Sequence, residues 1–282
     1  MKNRDFYLQD DGVAIHCKLD FPTQKRAKSP AGNPEDIQSE KPTAALVGSV
    51  SENPEDRFPL MILIHGFTGH MEEPHLLAVK EAAHDAGFAV LRAEMYGHGK
   101  RGGTFRDHTL FKWISNAMTV IDYAQKLDFV TDLYLAGHSQ GGLLTMLVAA
   151  MESDRLRAIL PLSPALCIPA DARRGEVQGA HFDPVHIPEE IFIGDGNALS
   201  GNHIRISQMI DVDAAIRRYT GPVLLVHGSA DATVPVQSSI DAAKLYANAK
   251  LVLIPGDTHC YDLHVDMLAE SVRDFLENLP GH

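Results

Sequence analysis

The stretch Leu133-Tyr134-Leu135-Ala136-Gly137-His138-Ser139-Gln140-Gly141 runs from a short apolar segment into a glycine-bounded turn, and a second apolar segment, Leu143 to Met151, follows directly. This pattern predicts a buried strand, a sharp turn with one serine at its apex, and a helix. Glycines two residues either side of the serine allow a strained turn that exposes the hydroxyl and aims the next backbone N–H at a forming oxyanion. The sequence therefore predicts Ser139 as a nucleophile. The alternative is a glycine-bounded turn whose serine has no role.

Composition and charge limit the class of protein. The 282 residues, 45% of them hydrophobic, fit one large α/β domain or two small ones. A net charge of −12 argues against a nucleic-acid binder and against adsorption to anionic membranes. The polar N-terminus lacks the core of a signal peptide, and no apolar run approaches the ~18 residues of a membrane span. With three scattered cysteines that form no disulfide framework, these features predict a cytoplasmic protein without membrane partners.

From Pro59 onward, apolar runs alternate with segments of helical spacing. Strands are predicted at Leu60–Ile64, Ala89–Ala93, Leu133–Ala136, Ala158–Leu162, Val223–Val226 and Leu251–Ile254. Helices are predicted at Glu73–Ala86, Leu110–Leu127, Leu143–Met151, Ile204–Tyr219, Val236–Tyr246 and His264–Leu279. Strict alternation of this kind predicts a mostly parallel central sheet that is covered by helices on both faces.

Two segments depart from this alternation. A hairpin is predicted around Asp11-Gly12, after which residues 22–58 are rich in Pro, Ser, Glu, Asn and Lys. They predict a polar surface excursion, either functional or mobile, with a short strand at Ala44–Val50. Residues 164–221 separate the sixth and seventh strands by far more than the dozen residues that a crossover needs. This insertion at the ligand-binding edge of the sheet is predicted to be a lid over a core of residues 1–163 and 222–282, the alternative being a surface decoration.

A nucleophilic serine needs a base, and the base needs an acid that orients it. In sheets of this type the chain order is serine, acid, histidine. Asp231 follows the strand Val223–Val226, and His259 follows the last strand. The sequence therefore predicts Asp231 as the acid and His259 as the base, with Asp257 and His264 as the nearest rivals.

An oxyanion forming at the serine needs two N–H donors. The residue after the nucleophile, Gln140, is predicted to supply one, and Phe67, in the loop after the first central strand, the other. Four further histidines in loops at this edge are predicted to pack or to form hydrogen bonds: His65, His98, His138 and His227. Neither an H-E-x-x-H pattern nor a zinc-ligand spacing is present, so neither a metal nor a cofactor is predicted.

With these residues in place, the chain resembles the α/β-hydrolase superfamily, and more narrowly the cinnamoyl (feruloyl) esterases of gut bacteria. The resemblance extends from Pro59 to about Leu279. It rests on the serine turn, called the elbow below, with the residues Gly137-His138-Ser139-Gln140-Gly141-Gly142. It rests further on His65-Gly66-Phe67-Thr68-Gly69, Gly97-His98-Gly99, Ser163-Pro164-Ala165, Asp171-Ala172, Gly175, Gln178-Gly179, His186-Ile187-Pro188 and Arg205-Ile206.

The resemblance implies an α/β-hydrolase fold with a lid insertion between strands 6 and 7. It further implies that the insertion caps an acyl pocket and that Asp171 and Gln178 contact the phenolic ring of the substrate. His203 stands where the family has a tyrosine, so the preferred ring substitution is left open. It is expected either to contact the substrate as a hydrogen-bond donor or to point into solvent.

The activity that the resemblance implies is that of a serine carboxylesterase acting on esters of hydroxycinnamic acids, such as ferulate, coumarate or caffeate esters, through an acyl-enzyme. The same machinery would serve a general short- or medium-chain acyl esterase, a lipase-like enzyme or a thioesterase. A relative that binds a ligand without catalysis is a further alternative. A homodimer is compatible with the sequence.

Overall fold

A computed structural model describes residues 3–22, 57–99, 102–194 and 196–279. Apart from its two ends, the predicted polar excursion at 22–58 lies outside the described residues, and so does the strand predicted at Ala44–Val50.

The described residues form twelve strands: β1 Arg4–Asp10, β2 Val13–Asp20, β3 Phe58–Ile64, β4 Ala89–Ala93, β5 Val130–His138, β6 Leu156–Leu162, β7 Glu176–Val177, β8 Ala180–His181, β9 Glu190–Phe192, β10 Ala198–Ser200, β11 Val223–Gly228 and β12 Ala249–Ile254. The helices are α1 Pro74–Asp85, α2 Leu110–Ala124, α3 Gln140–Met151, α4 Ile168–Arg174, α5 Gly201–Met209, α6 Val212–Arg218, α7 Val236–Leu245 and α8 Val265–Glu277, with a 3₁₀ turn at Phe105–Asp107.

Eight strands form one sheet in the order β1-β2-β4-β3-β5-β6-β11-β12. The hairpin β1–β2 is antiparallel and joins β4 in an antiparallel pair, whereas the six strands from β4 to β12 run parallel. This arrangement confirms the predicted α/β-hydrolase fold with its mostly parallel central sheet.

Both faces of the sheet are covered because β3 is apolar at every central position. Leu60, Ile62 and Ile64 belong to one buried cluster, and the alternate residues Met61 and Leu63 belong to the other. Side chains from α2, α3 and α7 complete the first cluster, while α1 and α8 complete the second. Because these strands are parallel, their carboxyl ends lie at one edge of the sheet. The loops at this edge carry the predicted site residues.

The insertion after β6 is present as predicted, but its second half differs from the prediction. The segment Ile204–Tyr219 forms two helices, α5 and α6, instead of one. The break occurs because Ile210 is extended and the Asp211 carboxylate caps α6, accepting the N–H of Ala214 at 3.0 Å. The first half holds α4 and the two small hairpins β7–β8 and β9–β10. The division into a core and a lid at residues 164 and 221 stays a prediction.

Helices that could cross a bilayer, both long and apolar enough, are not found in the part of the chain that the structure describes.

One buried amide joins the N-terminal hairpin to the loop after β4. The Asn116 side chain on α2 donates to Asp10 Oδ2 at 2.6 Å and accepts the N–H of Tyr96 at 2.8 Å. The indole of Trp113 donates to the carbonyl of Tyr96 at 3.0 Å. The loop after β4, which underlies the site described below, is therefore fixed to α2 by side chains.

We expect Asn116→Ala to lower the free energy of unfolding by about 1–3 kcal/mol, because it leaves a buried N–H and a carboxylate oxygen without partners. The exposed neighbour Ser115 contacts the same carboxylate at 3.1 Å. Ser115→Ala is the matched control and should cost clearly less. Urea denaturation of the two variants makes the comparison, and equal losses would contradict a special role for Asn116.

Candidate active site

The elbow between β5 and α3 has the strained geometry that its sequence predicts. Ser139 adopts φ 56° and ψ −118°, a backbone conformation that residues other than glycine rarely take. A β-carbon at Gly137 would stand 2.3 Å from the carbonyl oxygen of Gly141. One at Gly141 would stand 2.3 Å from the carbonyl oxygen of His65, at the end of β3. Both positions therefore require glycine, because neighbouring backbone segments approach them too closely for a β-carbon.

Asp231, in the loop after β11, accepts four hydrogen bonds. Its Oδ2 lies 2.6 Å from His259 Nδ1 and 3.0 Å from His227 Nε2. Its Oδ1 accepts the N–H groups of Thr233 and Val234, both at 2.8 Å. Burial by itself would raise the pKa of Asp231, but these donors hold it well below its usual range. The carboxylate therefore stays charged inside the protein.

His259 is oriented by that carboxylate. Because an ionised carboxylate only accepts hydrogen bonds, Nδ1 of His259 carries a proton, and the neutral form of the ring has its lone pair on Nε2. The ring packs at 4.7 Å from that of His138, whose Nε2 donates to the carbonyl of His259 at 2.9 Å. Among the described residues the Ser139 hydroxyl makes no hydrogen bond. The structure thus pairs Asp231 with His259 beside the elbow and leaves the last contact, to Ser139, unformed, as is common before a substrate binds.

Asp257, the rival acid, has a different environment. Its side chain accepts the N–H groups of Thr258 at 2.8 Å, Leu263 at 3.1 Å and His264 at 3.0 Å. Within the described part of the chain it contacts no imidazole. Asp257 therefore shapes the loop that carries His259, while the other rival, His264, precedes α8.

Two of the loop histidines support the predicted oxyanion loop. His98 Nε2 accepts the N–H of Thr68 at 3.0 Å, and His65 Nε2 accepts the N–H of Met95 at 3.0 Å. Burial lowers the pKa of His65 to about 3, which keeps its ring neutral and able to accept. These contacts fix the loop that contains Phe67 against the loop after β4.

His227 has a closer relation to the site than the sequence indicated. It is fully buried, and its Nε2 donates to Asp231 while its Nδ1 accepts the Ser239 hydroxyl at 2.7 Å. The available signal was a histidine at the end of a strand, four residues before the acid. The sequence predicted that His227 packs or forms hydrogen bonds, which is confirmed, but it did not identify the candidate acid as the partner.

A cavity of about 310 Å³ lies over the elbow. It brings together the predicted nucleophile, both predicted oxyanion residues and all three predicted substrate contacts: Ser139, Phe67, Gln140, Asp171, Gln178 and His203. Apolar side chains complete its wall, among them Ile168, Val177, Ile204 and Val234. Asp231, whose side chain is fully buried, and His259 do not line this cavity.

The three lid residues enter the cavity wall in different ways. Gln178 occupies the two-residue turn between β7 and β8 at φ 47°, a position that normally favours Asn or Gly. Asp171 accepts a short hydrogen bond from Arg174. His203 is buried, which lowers its pKa to about 4, and its Nδ1 donates to the His108 carbonyl at 3.4 Å. Its Nε2 is thereby left as an acceptor on a ring that lines the cavity.

The chain is similar in sequence and in structure to known proteins. A family model described as serine aminopeptidase, S33, matches residues 56–186. Est1E from Butyrivibrio proteoclasticus, in a structure with ferulic acid bound, is 48% identical and superposes with a TM-score of 0.84, covering 96% of this chain and 97% of Est1E.

More distant relatives share the fold. The palmitoyl-protein thioesterase ABHD10 of Pongo abelii is 24% identical over 241 residues, which are 78% of this chain and 74% of the relative. The solved mouse α/β-hydrolase domain-containing protein 10 is 17% identical with a TM-score of 0.69, covering 97% of this chain and 98% of its own. Because the identity with Est1E is 48% over nearly the whole of both chains, the protein belongs to the α/β-hydrolase superfamily and is a serine hydrolase of the same family as Est1E.

Proposed function

We propose that the protein hydrolyses carboxylic esters of hydroxycinnamic acids through an acyl-enzyme. The observation that carries this proposal is the cavity over the elbow, which combines a serine, apolar walls and the polar side chains of Gln178 and His203. A relative of 48% identity binds ferulic acid, a member of this acid class. A hydroxycinnamate is flat and apolar with a polar phenol at its far end, which suits a pocket of this composition.

In the proposed reaction, Ser139 Oγ attacks the ester carbonyl carbon while His259 Nε2 accepts the hydroxyl proton. Asp231 holds the Nδ1–H of His259 and stabilises the imidazolium that forms. The negative charge on the carbonyl oxygen is stabilised by the backbone N–H groups of Gln140 and Phe67. Gln140 supports this role because it begins α3, where N–H groups have no partner inside the helix.

Collapse of the tetrahedral intermediate breaks the bond to the alcohol, which leaves with the proton from His259. The acyl group then remains on Ser139 as an ester. A water molecule gives its proton to His259 and attacks the same carbonyl carbon, and the second collapse releases the acid and restores the serine hydroxyl. Every proton in the cycle passes through Nε2 of His259.

His203 and Gln178 give this cavity a preference among ring substituents. Because His203 donates through Nδ1, its Nε2 accepts, and an acceptor suits a phenol hydroxyl better than a methoxy group. The Gln178 amide both donates and accepts, so it suits either substituent. Caffeate and coumarate esters therefore fit this wall at least as well as ferulate esters.

A cytoplasmic location belongs to the same proposal. Cys17, Cys167 and Cys260 are free thiols, which supports a reducing compartment. The homodimer stays a prediction from the sequence.

The two candidate acids form a matched pair for a test of the catalytic assignment. We expect Asp231→Asn to lower kcat by about 10⁴, because the amide favours the wrong tautomer of His259. Asp257→Asn removes an acceptor for one of three backbone N–H groups and should mainly lower the melting temperature. Steady-state kinetics at a temperature where both variants are folded make the comparison, and a larger kcat loss in Asp257→Asn would reverse the assignment.

Substrate class is tested at Gln178. Gln178→Ala should weaken kcat/KM for methyl caffeate by about 1–3 kcal/mol, since it leaves a buried phenol without a partner. A butyrate ester, which is too short to reach the amide, should be hydrolysed as before. Gln178→Gly is the control, because it also removes the amide but relieves the positive φ.

The measurement is the ratio of kcat/KM for the caffeate and butyrate esters in the three proteins. The proposal expects the ratio to fall equally in both variants. An unchanged ratio would exclude Gln178 as a substrate contact. A wild type that prefers butyrate or an acyl thioester would favour a general esterase or a thioesterase.

A further inference from the structure

Three buried polar atoms converge beside the elbow without hydrogen-bond partners among the described residues. They are Glu73 Oε2, His75 Nε2 and His138 Nδ1. One possible ligand atom from each of these three side chains lies within 4.8 Å of the other two. Glu73 and His75 stand at the start of α1, and His138 immediately precedes the candidate nucleophile. Both imidazole side chains are only 3% exposed. The mechanism proposed above uses none of these three atoms.

The hydrogen bonding of His138 directs a lone pair into this cluster. Its Nε2 lies 2.9 Å from the carbonyl oxygen of His259. A carbonyl oxygen only accepts hydrogen bonds, so the proton is on Nε2. The Nδ1 atom therefore has a lone pair that can bind a proton donor or a metal ion. The ring centroids of His75 and His138 lie 4.2 Å apart, so both imidazoles belong to the same cluster.

The Glu73 carboxylate is directed to the same point. Glu73 is the residue before α1, yet its side chain makes no capping hydrogen bond to the helix. Its Oε2 lies 3.9 Å from His75 Nε2. A β-carbon at Gly69 would stand 2.6 Å from that oxygen, so the carboxylate occupies space that the glycine leaves open.

Leaving three such atoms unpaired costs about 1–3 kcal/mol each, so a bound species would stabilise the cluster. A buried water molecule and a metal ion both satisfy several polar atoms at once. Two imidazoles and a carboxylate form a ligand set of divalent transition metals, while Mg²⁺ and Ca²⁺ favour oxygen ligands. The bond from His138 Nε2–H to a backbone carbonyl is the kind of outer contact that orients metal-binding imidazoles. The chemistry of the cluster thus favours an ion.

We propose that Glu73, His75 and His138 bind one divalent transition-metal ion of the Zn²⁺ type. Ligand bonds of about 2.0–2.2 Å in tetrahedral geometry would bring the three atoms closer to one another by about 1 Å. Glu73, whose side chain is 22% exposed, opens the route of entry. The ion would join the start of α1 to the elbow and, through the His138–His259 contact, to the loop of the candidate base.

The test uses the full chain, stripped with a chelator that is then removed. Zn²⁺ binding is measured by competition with a chromogenic chelator, and thermal unfolding is followed with and without Zn²⁺. The wild type should bind one equivalent of Zn²⁺ and melt at a higher temperature with the ion, whereas Mg²⁺ should have no effect. Glu73→Gln and His75→Phe should each weaken binding by about tenfold or more.

The matched control is His186→Gln, which removes a histidine from an exposed His–Asp pair with a separation of 2.9 Å. It should bind Zn²⁺ as the wild type does. Absence of Zn²⁺ binding in the wild type would overturn the proposal and leave the cluster to water. Wild-type affinity in Glu73→Gln, a variant that keeps the shape of the side chain, would place the ion elsewhere and overturn it equally.

Discussion

The start of α3 packs directly against the end of β3, and this close approach of two backbones organises the rest of the site. The His65 carbonyl oxygen leaves no space for a β-carbon at position 141, and the Gly141 carbonyl oxygen leaves none at position 137. The chain is thereby forced through a positive φ at Ser139. The same approach brings the first N–H of α3 next to the loop that follows β3. The candidate nucleophile and the proposed oxyanion donors therefore meet because two glycines permit helix–strand contact.

Hydrogen bonds of buried histidines fix the positions of the remaining loops relative to this elbow. His65 and His98 accept backbone N–H groups that tie the oxyanion loop to the loop after β4. His227 shares the Asp231 carboxylate with His259, and His138 donates to the backbone of the loop after β12. Each of these contacts joins segments that are adjacent in space and distant in the chain. The site is thus a set of loops at one sheet edge, joined by hydrogen bonds of imidazole side chains.

The fold was predictable because its signals are local. Continuous apolar runs predicted the parallel strands, with β4 at the same bounds as observed, and the chain order of acid and base placed both on adjacent loops. The break between α5 and α6 was missed because one capping carboxylate, Asp211, outweighs a continuous helical spacing. The two small hairpins of the insertion were missed because strands of two or three residues carry no periodicity.

Residue roles at the site were less predictable, since they depend on contacts across the chain. Sequence favoured Asp231 over Asp257 by loop position alone, and only the geometry shows that one meets an imidazole while the other meets backbone N–H groups. The grouping of His75 with His138 has no signature in spacing, because the two residues come from different elements. Sequence analysis accordingly found no metal-ligand pattern where the structure brings three donor atoms together.

The central claim is that a hydroxycinnamoyl group is carried on Ser139. The most direct measurement is rapid acid quenching of the protein with 4-nitrophenyl ferulate, whose good leaving group makes deacylation the slow step, followed by intact-mass spectrometry and peptide mapping. The account predicts a burst of nitrophenol and a species heavier by one feruloyl group, mapped to Ser139 and absent from Ser139→Ala. Turnover without a burst, or an adduct on any other residue, would contradict it.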